Sequence, residues 1–157
     1  MRLGVDVGTV RIGVASCDPA GLIATPVATV RRGSGDLAEL VRLATEREAV
    51  EVVVGLPRTL AGREGPAADA AVAFAQRLAG TLGSPPVRLV DERLSTVGAQ
   101  RDLRASGRDS RQGRSVVDQA AAVIILQAAL DEERATGIAP GRQVQATTPG
   151  DETKVEE

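Results

Sequence analysis

Leu3-Gly4-Val5-Asp6-Val7-Gly8-Thr9-Val10-Arg11-Ile12-Gly13-Val14-Ala15 is the stretch that decides the fold of this chain. An apolar run of β type is broken by one acid, turns through glycine and resumes as a second apolar run. A carboxylate inside such a run is costly to desolvate unless a cation or hydrogen bonds meet it. Alternation sets Leu3, Val5 and Val7 on one face of the first strand and Gly4, Asp6 and Gly8 on the other. That second face is nearly bare of side chains, so a ligand or another backbone can approach Asp6 closely. Asp6 therefore reads either as a surface residue of a half-exposed strand or as a metal- or phosphate-site acid.

Working outward, residues 2–7 and 11–17 form two strands joined by a tight turn, and 22–31 a third, with Pro26 implying an edge position or a bulge. The period then changes. Leu37, Leu40, Val41 and Ala44 recur at helical spacing over Asp36 to Glu48, with Asp36 as N-cap. Glu51 to Leu56 is apolar without alternation, the mark of a buried parallel strand, and Pro57 ends it. Pro66 opens a helix to Ala79, Val87 to Val90 is a short strand, and helices are expected over Ser95 to Arg104 and Ser115 to Arg134. Between the last two lies a polar, Arg-rich loop, expected to be mobile. The order β-β-β-α-β-α-β-α-α is that of a mixed five-stranded sheet, an antiparallel meander followed by parallel strands, with helices on its faces. One domain over 1–138 and a disordered tail over 139–157 are expected, because the tail combines Pro140 and Pro149 with polar, aperiodic sequence.

Composition narrows the chemistry. The chain has no His, Tyr or Trp, and its one Lys is Lys154, in the tail. This excludes Ser–His–Asp catalysis, His-ligated zinc and a buried lysine base in the folded body. Carboxylates remain as acid–base groups or ligands, and oxygen ligands favour Mg²⁺ or Mn²⁺. Cys17, the one cysteine, forms no internal disulfide and reads as a small buried apolar residue. No apolar run approaches the ~20 residues that span a bilayer, and no leader pattern opens the chain, so a cytoplasmic protein is expected. Of 19 basic and 21 acidic residues the tail holds two and four, leaving a neutral body. Basic charge is local: Arg101, Arg104, Arg108, Arg111 and Arg114 stand against Asp102 and Asp109.

Two further acids join Asp6. Glu92 follows the Val87–Val90 strand, where open α/β sheets place ligands, although Asp91 or Glu92 could equally cap a helix or pair with Arg93. Asp118 has Ser115 three residues before it, the spacing of a helix capping box, and taken alone that explains it. Ala121 and Ala122 nevertheless let the same helix lie close to the sheet and bring Asp118 near Asp6. Three carboxylates in one pocket repel one another unless a cation sits between them. One or two divalent ions would relieve this and would activate water for phosphodiester cleavage.

The motifs Asp6-Val-Gly-x-x-Arg11-Ile-Gly-Val-Ala15, Gly55-Leu-Pro57 with Gly62 and Glu64-Gly65-Pro66, Asp91-Glu92-Arg93-x-Ser95-Thr96 and Val117-Asp118-x-x-Ala121-Ala122, in this order over about residues 2–131, resemble the YqgF family, also called RuvX. These RNase H-like proteins are described as Holliday-junction resolvases and are implicated in maturing the 5′ end of the small-subunit ribosomal RNA precursor. The resemblance implies Asp6, Glu92 and Asp118 as catalytic acids holding Mg²⁺ or Mn²⁺. It sets Arg11, Arg93, Ser95 and Thr96 nearby, with Arg108, Arg111 and Arg114 on substrate phosphates. The implied activity is a metal-dependent nuclease of structured nucleic acid, maturing pre-16S rRNA on the ribosome precursor. A Holliday junction resolvase on branched DNA and a non-catalytic RNA-binding assembly factor are the alternatives. An ATP-binding domain of the actin type also fits Asp6-Val-Gly-Thr9, but it needs two such domains. The chain is expected to act as a monomer, or as a homodimer if it resolves junctions.

Overall fold

The computed structural model describes residues 1–57, 65–92 and 111–146, with backbone alone for 111–116. Its elements are β1 (Arg2–Val7), β2 (Arg11–Cys17), β3 (Ala24–Arg31), α1 (Asp36–Glu46), β4 (Glu51–Leu56), α2 (Pro66–Leu82), β5 (Val87–Asp91), α3 (Arg111–Thr136) and β6 (Arg142–Gln143). They build one sheet in the order β3-β2-β1-β4-β5-β6, in which β1–β4 and β4–β5 are parallel and the other pairs antiparallel. The meander and the parallel crossovers thus stand where the sequence set them. Pro26 lies on the edge strand β3, and the β2–β3 register shifts between Val14 and Ala15, which pair with Ala28 and Pro26.

The two faces of the sheet carry residues of different size, and this decides how closely helices approach. Leu3, Val5, Ile12, Val14, Val52 and Val54 pack with Leu40 of α1 and with Phe74 and Leu78 of α2 into the thicker core. The opposite face offers Gly4, Gly13, Ala15, Val53 and Gly55, and there α3 lies down through Ala121, Ala122, Ile125 and Leu126. A Cβ on Gly4 would stand 2.6 Å from the Leu126 Cβ and 2.9 Å from the Ala122 carbonyl oxygen. At such approach an added methyl has no room to relax. Cys17 is buried on this side as expected, its sulfur accepting from the Arg2 N–H at 3.2 Å.

Four expectations change. The sheet has six strands, because Arg142 and Gln143 pair antiparallel with Leu89 and Arg88. Arg88 donates to the carbonyl oxygens of Ala139, Pro140 and Gly141, so main-chain acceptors hold a segment whose side chains gave no periodic signal. Asp36 is the first helical residue of α1, with Gly35 as N-cap. Its carboxylate instead accepts from the Arg32 guanidinium and the Gly33 and Leu37 N–H groups. Finally, α3 runs from Arg111, so Arg111 to Arg114 are helix rather than loop, and Asp118 lies two turns inside it. Ser115 thus lies within the helix and is not its N-cap, and the capping-box explanation of Asp118 falls. The expected helix at 95–104, the segment 58–64 and residues 147–157 lie outside the described residues.

Candidate active site

A row of residues crosses the sheet beneath the start of α3. Gly13 of β2 pairs with Asp6 of β1 on one side and with Thr29 of β3 on the other. Val5 pairs with Val54, so extending the parallel register by one residue sets Gly55 of β4 beside Asp6, and Gly55 itself pairs with Val90 of β5. Partners in register share a face. Gly13 and Gly55 face α3, so the carboxylate of Asp6 rises from between two glycines toward the same helix.

Those glycines are the seats of the other two acids. A Cβ on Gly13 would lie 1.9 Å from the Asp118 carbonyl oxygen. On Gly55 it would lie 2.8 Å from Glu92 Oε1 and 2.6 Å from Ile125 Cδ1. Directly opposed Cβ positions in an antiparallel pair are ~4.5–5.5 Å apart, so Asp118 stands over the position next to Asp6, and Glu92 over the position on its other side. Each acid is buried, with Asp6, Glu92 and Asp118 at 1%, 7% and 3% exposure. Glu92 follows β5 directly and folds back over β4, while Asp91 ends the strand opposite Leu56.

Arg11 brings the cation. Its Nε donates to Asp118 Oδ2 at 3.1 Å, from the first position of β2. The turn that sets it there is closed by the Gly8 N–H on the Arg11 carbonyl at 2.9 Å, and a Cβ on Gly8 would meet that oxygen at 2.6 Å. Arg32 braces the turn from outside, donating to the Gly8 carbonyl at 2.9 Å while its guanidinium lies 5.2 Å from the Phe74 ring centre. Beside Asp118, the Gln119 amide donates to the Thr29 hydroxyl at 3.1 Å, tying α3 to β3.

Asp118 and Glu92 thus lie over Gly13 and Gly55, the two positions that flank Asp6 on the α3 side of the sheet, and Arg11 is bonded to Asp118. Arg111 and Arg114 precede Asp118 in the same helix by seven and four residues, a rise of ~10 and ~6 Å. Arg93, Ser95, Thr96 and Arg108 lie outside the described residues. Among the described residues no three His, Cys, Asp or Glu side chains are gathered to the spacing that holds a metal ion. The backbone seats converge, but Asp118 is engaged with Arg11. Sequence reasoning missed Thr29 and Gln119, whose link depends on the β2–β3 register, and the part of Gly55 as the floor under Glu92. No described helix is long and apolar enough to cross a membrane.

A mixed sheet of this order, with buried acids under a helix on a glycine bed, defines an RNase H-like α/β protein. Thermus thermophilus RuvC has this fold: the enzyme in complex with a Holliday junction substrate superposes with a TM-score of 0.54 at 16% identity, covering 90% of this chain and 98% of that one. A second RuvC structure gives 0.52. The family model described as RuvX, Holliday junction resolvase, matches residues 1–132. A Nocardioides relative is 58% identical over 152 residues, 94% of this chain and 97% of its own. One from Streptomyces avermitilis is 59% identical over 146 residues, 92% and 94% respectively. Both carry the name "Putative pre-16S rRNA nuclease". The chain belongs to the RuvX (YqgF) family, a family of nucleases and hence of hydrolases.

Proposed function

We propose that this protein is a divalent-metal-dependent nuclease that cuts structured RNA, with the 5′ end of pre-16S rRNA as its substrate. The observation that carries the proposal is the burial of Asp6, Glu92 and Asp118 around the Gly13 and Gly55 seats, in a chain that has no histidine. Burying three carboxylates together is unfavourable without cationic charge among them. The donor set is three hard carboxylate oxygens, which suits Mg²⁺ or Mn²⁺ and no soft metal. Asp6, Glu92 and Asp118 would hold the ion, which supplies charge neutralisation at the phosphate and a more acidic water.

The chain's own residues do the positioning. Gly13 and Gly55 admit Asp118 and Glu92 to the sheet surface. Arg11 neutralises Asp118 and fixes its carboxylate through the Nε–Oδ2 bond. The Gly8 turn, braced by Arg32, fixes Arg11. Arg93, Ser95, Thr96, Arg108, Arg111 and Arg114 are proposed to bind substrate phosphates, for which the guanidinium fork is suited. The names of the relatives favour RNA; the family description and the RuvC fold keep a four-way DNA junction as the competing substrate.

The test is cleavage-product mapping on a structured pre-16S RNA and on a four-way DNA junction, with Mn²⁺ and with EDTA. Cleavage of the RNA near the mature 5′ end, lost with EDTA and with Asp6→Asn, is expected. Metal-dependent cleavage unchanged in Asp6→Asn refutes the site. Symmetric cutting of the junction without RNA cleavage moves the substrate to DNA. RNA binding without cleavage in Mn²⁺ leaves an assembly factor.

A further inference from the structure

Arg11 and Arg31 are paired directly across β2 and β3. Arg11 is two residues from Gly13 and Arg31 two from Thr29, so both rise from the face that carries the acids. Like charges set opposite one another on a sheet are unfavourable. Five of the described arginines are committed elsewhere: Arg2 to Glu51 and Glu133, Arg32 to Asp36, Arg42 to Glu39 and Glu46, Arg134 to Asp131, Arg88 to carbonyl oxygens. Arg31 is exposed and has no acceptor among the described residues, and among these Arg11 uses only Nε, leaving its terminal nitrogens available. Two cations therefore share one spot with donors to spare.

We propose that Arg31, with Arg11 opposite it, forms a seat for a backbone phosphate of the nucleic-acid strand as it leaves the acids over the edge of the sheet. The proposal rests on the nuclease reading above. Two strand spacings and two residues of rise place the Arg31 Cα about 12 Å from that of Asp6, within an arginine's reach of a phosphate next to the one being cut. The link from Thr29 to Gln119, adjacent to Asp118, holds this part of β3 in register with the acids. Two guanidinium groups meet a phosphate through paired N–H donors, Arg11 through the terminal nitrogens that its bond to Asp118 does not use.

The experiment measures RNA affinity of the full chain in EDTA from 50 to 300 mM KCl for wild type, Arg31→Gln, Arg31→Lys and Arg142→Gln. The last removes a cation from β6, at the opposite edge of the sheet. For Arg31→Gln the log–log salt slope is expected to fall by about 0.7–0.9, the value of one phosphate contact. Affinity near 150 mM KCl should drop three- to tenfold, with Arg31→Lys recovering most of it. The melting temperature should not move, because Arg31 has no partner to lose among the described residues. An unchanged slope in Arg31→Gln overturns the seat, and so does an equal fall in Arg142→Gln, which would make the effect one of global charge. Cleavage by Asp6→Asn in Mn²⁺ is assayed alongside. If that variant is silent while Arg31→Gln binds as wild type, the seat fails and the acid site stands; if it still cuts, the acid site itself fails.

Discussion

Gly13 and Asp118 are in backbone contact: the place where a side chain would begin on the strand residue is 1.9 Å from the carbonyl oxygen of the helix residue. The helix that carries Asp118 is thus seated on the sheet by the lack of one methyl group. Gly13→Ala cannot be absorbed by a rotamer change, since the obstacle is backbone. Overpacking of this kind costs ~1–3 kcal/mol, and at ~2–4 °C per kcal/mol for a chain of this size the melting temperature should fall by several degrees. Cleavage should fall further than stability, because Asp118 moves with the helix. Wild-type activity at a temperature where the variant is fully folded would show that the close seat is not needed.

Gly55→Ala makes a milder demand of the same kind. The added methyl meets Ile125 Cδ1 and Glu92 Oε1, both ends of flexible side chains. Stability should change by less than in Gly13→Ala, while the Glu92 carboxylate is displaced from its place above β4. The expected result is a large loss of kcat with circular dichroism and melting close to wild type. Equal losses of stability in the two variants would contradict this.

The acids also predict a response to metal that does not depend on turnover. An ion that binds only the folded state stabilises it by ~2.7 kcal/mol at a hundredfold excess over Kd. Thermal melting with saturating Mn²⁺ should therefore rise by about 5–10 °C over the EDTA value. Asp6→Asn should melt alike in both buffers. A Mn²⁺ shift that survives Asp6→Asn, Glu92→Gln and Asp118→Asn would place the ion elsewhere.

How much of this was legible beforehand follows from which signals are local. The bare face of Gly4, Asp6 and Gly8 was visible as alternation, and the approach of α3 through Ala121 and Ala122 followed from their size. Pro26 announced an edge or a bulge, and β3 has both, because its missing N–H has local consequences. The second turn of α3 misled: Ser115 and Asp118 have capping-box spacing, but a helix that already runs from Arg111 leaves them no free N–H to cap. The β6 strand was invisible because its hold is made by carbonyl oxygens, which every sequence has, and by one arginine fifty residues away. The link from Thr29 to Gln119 and the pairing of Arg11 with Arg31 were hidden for a related reason. Each requires the register of two strands, and a bulge between Val14 and Ala15 changes that register.

Glu51 predicts a pH effect. At the start of β4 its carboxyl is half-buried; burial raises its pKa, opposed by Arg2 and Arg88 and aided by Glu133. A group whose pKa is higher folded than unfolded contributes stability that is present below the unfolded value and is lost as pH rises through the folded one. Glu51→Gln removes that loss. The stability of Glu51→Gln relative to wild type should therefore increase from pH 4 toward pH 7, measured by urea denaturation of both proteins at each pH. A difference that is flat with pH, or that shrinks as pH rises, would show that the ion pair with Arg2 outweighs the burial.

Arg88 and Gly141 hold the last strand in place. Arg88 donates to three successive carbonyl oxygens, at 3.3, 3.0 and 3.0 Å for Ala139, Pro140 and Gly141. Gly141 has φ +75°, and a Cβ there would lie 1.9 Å from the Leu89 carbonyl oxygen. Only glycine meets both conditions. Gly141→Ala should detach residues 139–146 from β5, and Arg88→Ala should loosen them, since removing the donor leaves main-chain acceptors unpaired at the sheet edge. Limited proteolysis should then cut in this segment several times faster than in wild type, with the larger effect in Gly141→Ala. Cleavage of RNA should persist, because β6 lies at the edge farthest from Asp118 and β3. Proteolysis unchanged in both variants would mean that the two-residue ladder alone keeps the strand docked; loss of nuclease activity in the folded variants would mean that the edge supports Glu92 through β5.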